Sequence, residues 1–247
     1  MITMQKRGDG FGLFMDNTLL KDDVMLDNQV LINYILEDLG GVVSAEYANL
    51  QGQGRITIYQ EPFADVVPGD WYADDVSYVY TKGFMNGTSD TTFLSDAPIS
   101  NAMFVAMLYR EAGSPVVSQK VSDLLSDCAD NLWYSDAAAW AARNWLPLDG
   151  DVAFQPDSVL SRQDMAYLLY QYIKSEDGGF SGAWAYLPEY TDLDAIGDRS
   201  YEAVAYCSMK GLINGLDTGE FAPASATTRA MAAVILQRFD SMMNAVQ

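Results

Sequence analysis

Arg162 and Arg229 each directly follow a residue suited to open a helix, Ser161 and Thr228. Each is therefore expected at the positive end of a helix dipole, where a cation is unfavourable by about 0.3–1 kcal/mol. A helix N-terminus with free N–H groups is also an anion site, and a guanidinium adds a two-pronged donor that matches a carboxylate. Carboxylate capture is one reading; pairing with an Asp on an acidic surface is the other. As first-turn residues both are expected to be exposed, so replacing them should leave the fold intact. Trp71 and Trp133 offer flat faces that would stack on a sugar ring or pack as core. Gly83, Gly87, Gly211 and Gly215 allow tight backbone geometry, or close approach by a ligand. Lys82 and Lys210 each precede a turn glycine. They are either groove residues or favourable cations at a helix C-terminus. Trp140 and Tyr167, at helical spacing among Ala and Leu, read as core.

The elements that must position these residues recur three times, over Phe63–Arg110, Leu125–Tyr172 and Tyr190–Phe239. Asp65 to Trp71 is six residues, as is Asp127 to Trp133. Trp71 to Gly83, Trp133 to Trp145 and Arg199 to Gly211 are each twelve, and Phe93–Asn101, Phe154–Arg162 and Phe221–Arg229 each eight. Such periodicity is the signature of a repeat architecture. Each unit reads as helix, turn-rich loop, helix. In the first, Val76, Val79 and Tyr80 share a face, Gly83 stops the helix, and Ser100 caps the next. One such pair buries too little alone, so three units are expected to share a core. The expected boundaries are 62–116, 121–175 and 188–243. Residues 1–61 read as the tail of a preceding module, helical over Gln29–Leu39 and strand over Arg55–Tyr59.

Composition narrows the chemistry. The 247 residues hold 34 Asp and Glu against 14 Lys and Arg, a formal charge of −20, which argues against a nucleic-acid partner. No His is present, so Ser-His-Asp and Cys-His triads and His-ligated metals are excluded. Cys128 and Cys207 fall at non-equivalent repeat positions and read as free thiols rather than a disulfide. No apolar run suits a signal peptide or a membrane span, so an export signal is expected outside this chain and no membrane insertion within it. Acidic loops such as SDTT, DGD and LDTGE raise a calcium-binding, dockerin-like alternative, but none carries enough spaced acids for a calcium loop. A carboxylate-based glycoside hydrolase fragment is not excluded by residue type. No cofactor and no catalysis are expected.

The repeats resemble S-layer homology domains. Repeat 3 carries GLING (Gly211–Gly215), FAP (Phe221–Pro223) and TTRA (Thr227–Ala230). Repeat 1 carries FAD, DW, GFMNG and FLSD; repeat 2 carries LSD, LW, FQPD and LSRQD. The resemblance implies a mainly α fold, three helical hairpins in a pseudo-threefold spindle, beside a short mixed α/β N-terminal segment. It implies a cell-surface protein held non-covalently on the wall by an anionic, often pyruvylated, secondary cell-wall polysaccharide or another peptidoglycan-linked polymer. It further implies grooves using the helix-start Arg, the Trp and the glycine turn. Departures are Asn101 for the arginine in repeat 1, Trp145 and Asp149 for the turn glycines in repeat 2, and Arg199 for the tryptophan in repeat 3. Only repeat 2 keeps an acidic capping partner, Asp164. One or two working grooves are expected rather than three.

Overall fold

The computed structural model describes residues 2–7, 10–15, 18–24, 63–67, 69–146, 153–182 and 186–244. The chain divides into two compact units, Met1–Thr81 with Gly87–Phe93, and Lys82–Asn86 with Leu94–Gln247. The described residues are mainly helical, with six α-helices and one three-stranded sheet.

In the first unit, β1 (Ile2–Arg7), β2 (Gly10–Met15) and β3 (Thr18–Val24) form an antiparallel sheet in sequence order. Ile2 pairs with Met15, and the β2–β3 register slips between Phe11 and Phe14. The helix and strand expected at Gln29–Leu39 and Arg55–Tyr59 lie outside the described residues. The same unit holds α1 (Ala73–Thr81), which buries Ala73, Val76 and Val79. Phe63 packs edge-on to Tyr80 at 5.1 Å and against Phe93 at 5.4 Å. Asp65 accepts the Phe93 N–H at 2.7 Å. A Cβ on Gly87 would collide with the Phe63 ring and the Ser89 carbonyl, so close packing requires this glycine.

The second unit holds α2 (Asn101–Glu111), α3 (Ser135–Asn144), α4 (Arg162–Ser175), α5 (Asp198–Met209) and α6 (Arg229–Asn244). The repeat-1 hairpin is thus divided, with α1 in one unit and α2 in the other. α4 packs on α5, and α2 on both α3 and α6. The apolar faces meet in a core that includes Phe104, Leu108, Met165, Phe221 and Phe239. Apolar burial of this kind, about 25 cal/mol per Å², is what holds helices too short to persist alone. Gly83 and Gly211 follow α1 and α5 with φ of +75° and +67°, the left-handed turn that stops a helix. Repeat 2 has Trp145 there instead. With φ at −153° it turns inward, against Trp140 at 5.5 Å and Tyr172 at 5.6 Å.

The segments leading into α2, α4 and α6 are tied in a closed cycle. The Ile99 N–H donates to the Thr227 carbonyl (3.0 Å), Thr227 to Leu160 (2.8 Å), and Leu160 to Ile99 (2.9 Å). Single β-bridges join Pro98 with Thr228, Ser100 with Val159, and Ser161 with Ala226.

Candidate functional site

The helix starts are saturated with hydrogen bonds. In α4 the Arg162 N–H donates to the Ser225 carbonyl, Gln163 to Pro223, Asp164 to Ser161 Oγ, and Met165 to the Ser161 carbonyl. In α6, Arg229 donates to Ala97, Ala230 to Ser95, Met231 to Thr228 Oγ1, and Ala232 to Thr228. α2 follows the same plan through Ser158, Pro156 and Ser100. The expected caps are therefore in place, but the N–H groups expected to be free for an anion are occupied. An N-terminus whose first four donors have partners loses the feature that makes it an anion site.

The arginines are corrected likewise. Arg162 is 3% and Arg229 5% exposed, not exposed as expected. Arg162 Nε donates to the Phe221 carbonyl at 2.8 Å and Nη2 to the Asn214 carbonyl at 2.9 Å, while Nη1 reaches Met231 Sδ at 3.7 Å. Its guanidinium carbon lies 5.1 Å from the Phe221 ring centre. Burial holds its pKa below the ordinary arginine value, partly offset by Tyr190 and Asp192. Arg229 Nη2 donates to the Asn86 carbonyl at 2.6 Å. Asn86 and Asn214 occupy the same repeat position, so both arginines grip the equivalent turn of another repeat. Asn101, expected to be a loss, takes over part of this task with a shorter reach, meeting the Phe154 carbonyl that corresponds to Phe221. Its Nδ2 donates to the Phe154 and Gln155 carbonyls at 2.9 and 3.1 Å.

The tryptophans go the other way. Trp71 is 64% and Trp133 63% exposed. Each stands edge-on against the tyrosine that follows it, Tyr72 or Tyr134, with centroids 5.3 Å apart in both cases. The two equivalent rings are held in one way and are mostly open to water, so neither is core. Trp140 is buried as expected. Tyr167 is only half-buried and carries the Arg199 guanidinium 4.3 Å above its ring. Arg199, at the tryptophan position of repeat 3, also pairs with Asp164 at 3.1 Å. Asp164 itself accepts from Ser161 Oγ, so its side chain does not close the reciprocal capping box through the Ser161 N–H.

Lys82 pairs with Asp240 at 3.9 Å. Lys210 caps the C-terminus of α5 with its ammonium 5.8 Å from the Tyr206 ring. Gly215 has the Tyr190 ring where a Cβ would stand, 2.6 Å away. Two clamps were not foreseen. Arg110 Nη1 donates to the Phe84 carbonyl at 3.2 Å, and Arg238 Nη1 to the Leu212 carbonyl at 3.4 Å. Both stand nine residues beyond the helix start, and each holds its own repeat's glycine turn. Repeat 2 has Gln171 there and no turn glycine, so the two features vary together in the sequence. Asp127 and Asp192 hold the loops before α4 and α6, accepting N–H groups of Gln155 (2.6 Å) and of Phe221 and Ala222 (both 2.8 Å).

Cys128 and Cys207 are free and buried, and burial raises both thiols, Cys128 to about 12. Neither is suited to act as a nucleophile. Among the described residues no group of three or more Asp, Glu, Cys or His is placed to hold a metal. The DGD loop lies outside them. No described helix is long and apolar enough to cross a membrane.

The starts of α2, α4 and α6 share one plan, a side-chain donor from Asn101, Arg162 or Arg229 held on backbone carbonyls of another repeat. The S-layer homology domain matches residues 62–101 and 189–233, so the chain carries S-layer homology domains, binding modules that anchor proteins to the cell wall. Three relatives align with it: an amylopullulanase of Thermoanaerobacterium thermosulfurigenes (25% identical over 72% of this chain), the exoglucanase XynX of Acetivibrio thermocellus (24% over 69%), and an endoglucanase of Bacillus sp. strain KSM-635 (26% over 71%). The chain spans 9%, 15% and 18% of those proteins.

Proposed function

We propose that this chain holds a surface protein on the bacterial wall by binding a secondary cell-wall polysaccharide, without catalysis of its own. The observation that carries the reading is the pair of exposed tryptophans, Trp71 and Trp133, at one repeat position and in one geometry. A sugar ring laid on an indole buries apolar C–H faces while its hydroxyls stay in water. The cycle of hydrogen bonds through Ile99, Leu160 and Thr227 supports a threefold spindle as the scaffold. In that scaffold Arg162 and Arg229 act as positioning residues. They hold the turns that begin at Gly83 and Gly211, where the backbone stays open to a ligand, while Gly87 and Gly215 make room for the Phe63 and Tyr190 rings. Lys82 and Lys210 supply positive charge for an anionic sugar, pyruvylated or uronic. At 0.15 M salt the repulsion from a net charge of −20 is screened within about 8 Å, so local cations decide binding.

The test is co-sedimentation with purified walls before and after hydrofluoric acid extraction of the secondary polymer. Binding lost on extraction supports the reading. Binding that survives complete extraction transfers the target to peptidoglycan.

A further inference from the structure

Glu111, Tyr172 and Phe239 each stand ten residues beyond the start of α2, α4 and α6, and the fold brings these equivalent positions together. Tyr172 Oη donates to Glu111 Oε2 at 3.1 Å, and the Tyr172 and Phe239 rings lie 5.5 Å apart. Glu111 is the last residue of α2, at the negative end of its dipole, where a carboxylate is disfavoured. Its charged neighbours are acidic: Asp240 of α6 and Glu176, which caps α4. The nearby cations are engaged elsewhere. Lys82 pairs with Asp240, Arg110 holds the Phe84 carbonyl, and Lys174 lies over the Tyr170 ring at 4.9 Å. Among the described residues no ion pair includes Glu111.

We propose that the junction where α2, α4 and α6 end is a proton-operated latch, closed while Glu111 is protonated and loosened when it ionises. Burial, with help from Asp240 and Glu176 and against the hydrogen bond from Tyr172, raises this carboxyl to about 7. The folded value lies above the unfolded one. The group's stabilisation is therefore full below pH about 4.5 and is lost as pH rises through about 7. The chain has no His, the usual source of titration in this range. A chain without histidine that nonetheless responds to neutral pH is the signature of this latch, and the response is independent of the ligand proposed above.

The test is hydrogen-exchange protection at the C-terminal turns of α2, α4 and α6 from pH 5.5 to 8.5, with thermal melts over the same range. Protection factors there should fall by roughly 10-fold or more from pH 5.5 to about 7 and level off above it, while the α5 core stays flat. Melting temperature should drop by roughly 3–6 °C and level off above pH 8. Glu111→Gln should abolish both trends, whereas a trend that came from the N-terminal amine would persist in that variant. An unchanged pH slope in Glu111→Gln overturns the proposal. Tyr172→Phe supplies an independent check. It removes the bond that holds the carboxyl down, so the pH at which the fall levels off must move up; a levelling point that stays or falls also overturns the latch.

Discussion

Arg162 is 3% exposed and Trp133 is 63% exposed, although both belong to repeat positions that open or precede a helix. Transfer free energies alone favour the reverse. What decides the matter is the backbone around each position. The loops before α6 and α2 leave carbonyls of Phe221, Asn214 and Asn86 that need donors away from water, and a guanidinium with five N–H groups can meet more than one at once. The tryptophans pack instead edge-on against the tyrosine beside each and stay mostly in water. The arginine position therefore serves the fold, and the tryptophan position stays open to water.

The largest expected effect lies on the arginine side. Arg162→Ala strands two carbonyls and empties the space against Phe221, and should cost about 2–4 kcal/mol. Urea titration would check it. A loss below about 1 kcal/mol would mean water replaces the guanidinium, and the contrast between the two positions would shrink to one of exposure alone.

Next comes the tryptophan side. Trp133→Ala should change stability by less than about 1 kcal/mol, since the ring is mostly in water. It should weaken wall-polymer binding by roughly 10- to 30-fold, about 2 kcal/mol. Equal losses of folding and binding would show that Trp133 is a packing residue after all.

Asn101→Ala tests whether the short amide is a true substitute for arginine. Its two bonds to the Phe154 and Gln155 carbonyls predict a cost of about 1–2 kcal/mol, below that of Arg162→Ala, because an uncharged donor forms the weaker bond. A cost equal to the Arg162→Ala value would make the charge irrelevant and the donated N–H groups everything.

Much of this was legible before any coordinates. Caps at Ser100, Ser161 and Thr228, the stops at Gly83 and Gly211, and the helices between them follow from local rules, and those rules hold here. What escaped is non-local. The partner of Arg162 lies 59 residues away at Phe221, and that of Arg229 lies 143 residues away at Asn86. An arginine after a cap residue looks exposed in one repeat and becomes interior only when another repeat covers it. Asn101 was read as a lost arginine for the same reason, because its merit depends on how near the Phe154 carbonyl comes. The strands β1–β3 were not anticipated where they occur.

The smallest effect concerns an arginine that stands outside. Arg199 occupies the tryptophan position of repeat 3, lies over Tyr167 and pairs with Asp164, with just over half of its side chain exposed. An exposed ion pair contributes about 0–1 kcal/mol, and a cation over an exposed ring about 0.5–1 kcal/mol. A tryptophan there would keep a ring-on-ring contact with Tyr167 in place of the cation contact. Arg199→Trp should therefore alter stability by no more than about 0.5 kcal/mol, within the usual range for surface changes. Its value lies in binding. If the tryptophan position is the ligand platform, the variant gains a third ring of the Trp71 and Trp133 kind, and polymer affinity should rise by a few-fold. If Arg199 already serves a ligand through its remaining N–H groups, affinity should fall instead. Calorimetric titration with a soluble wall fragment separates these outcomes. An affinity that does not move in either direction would confine the platform role to repeats 1 and 2.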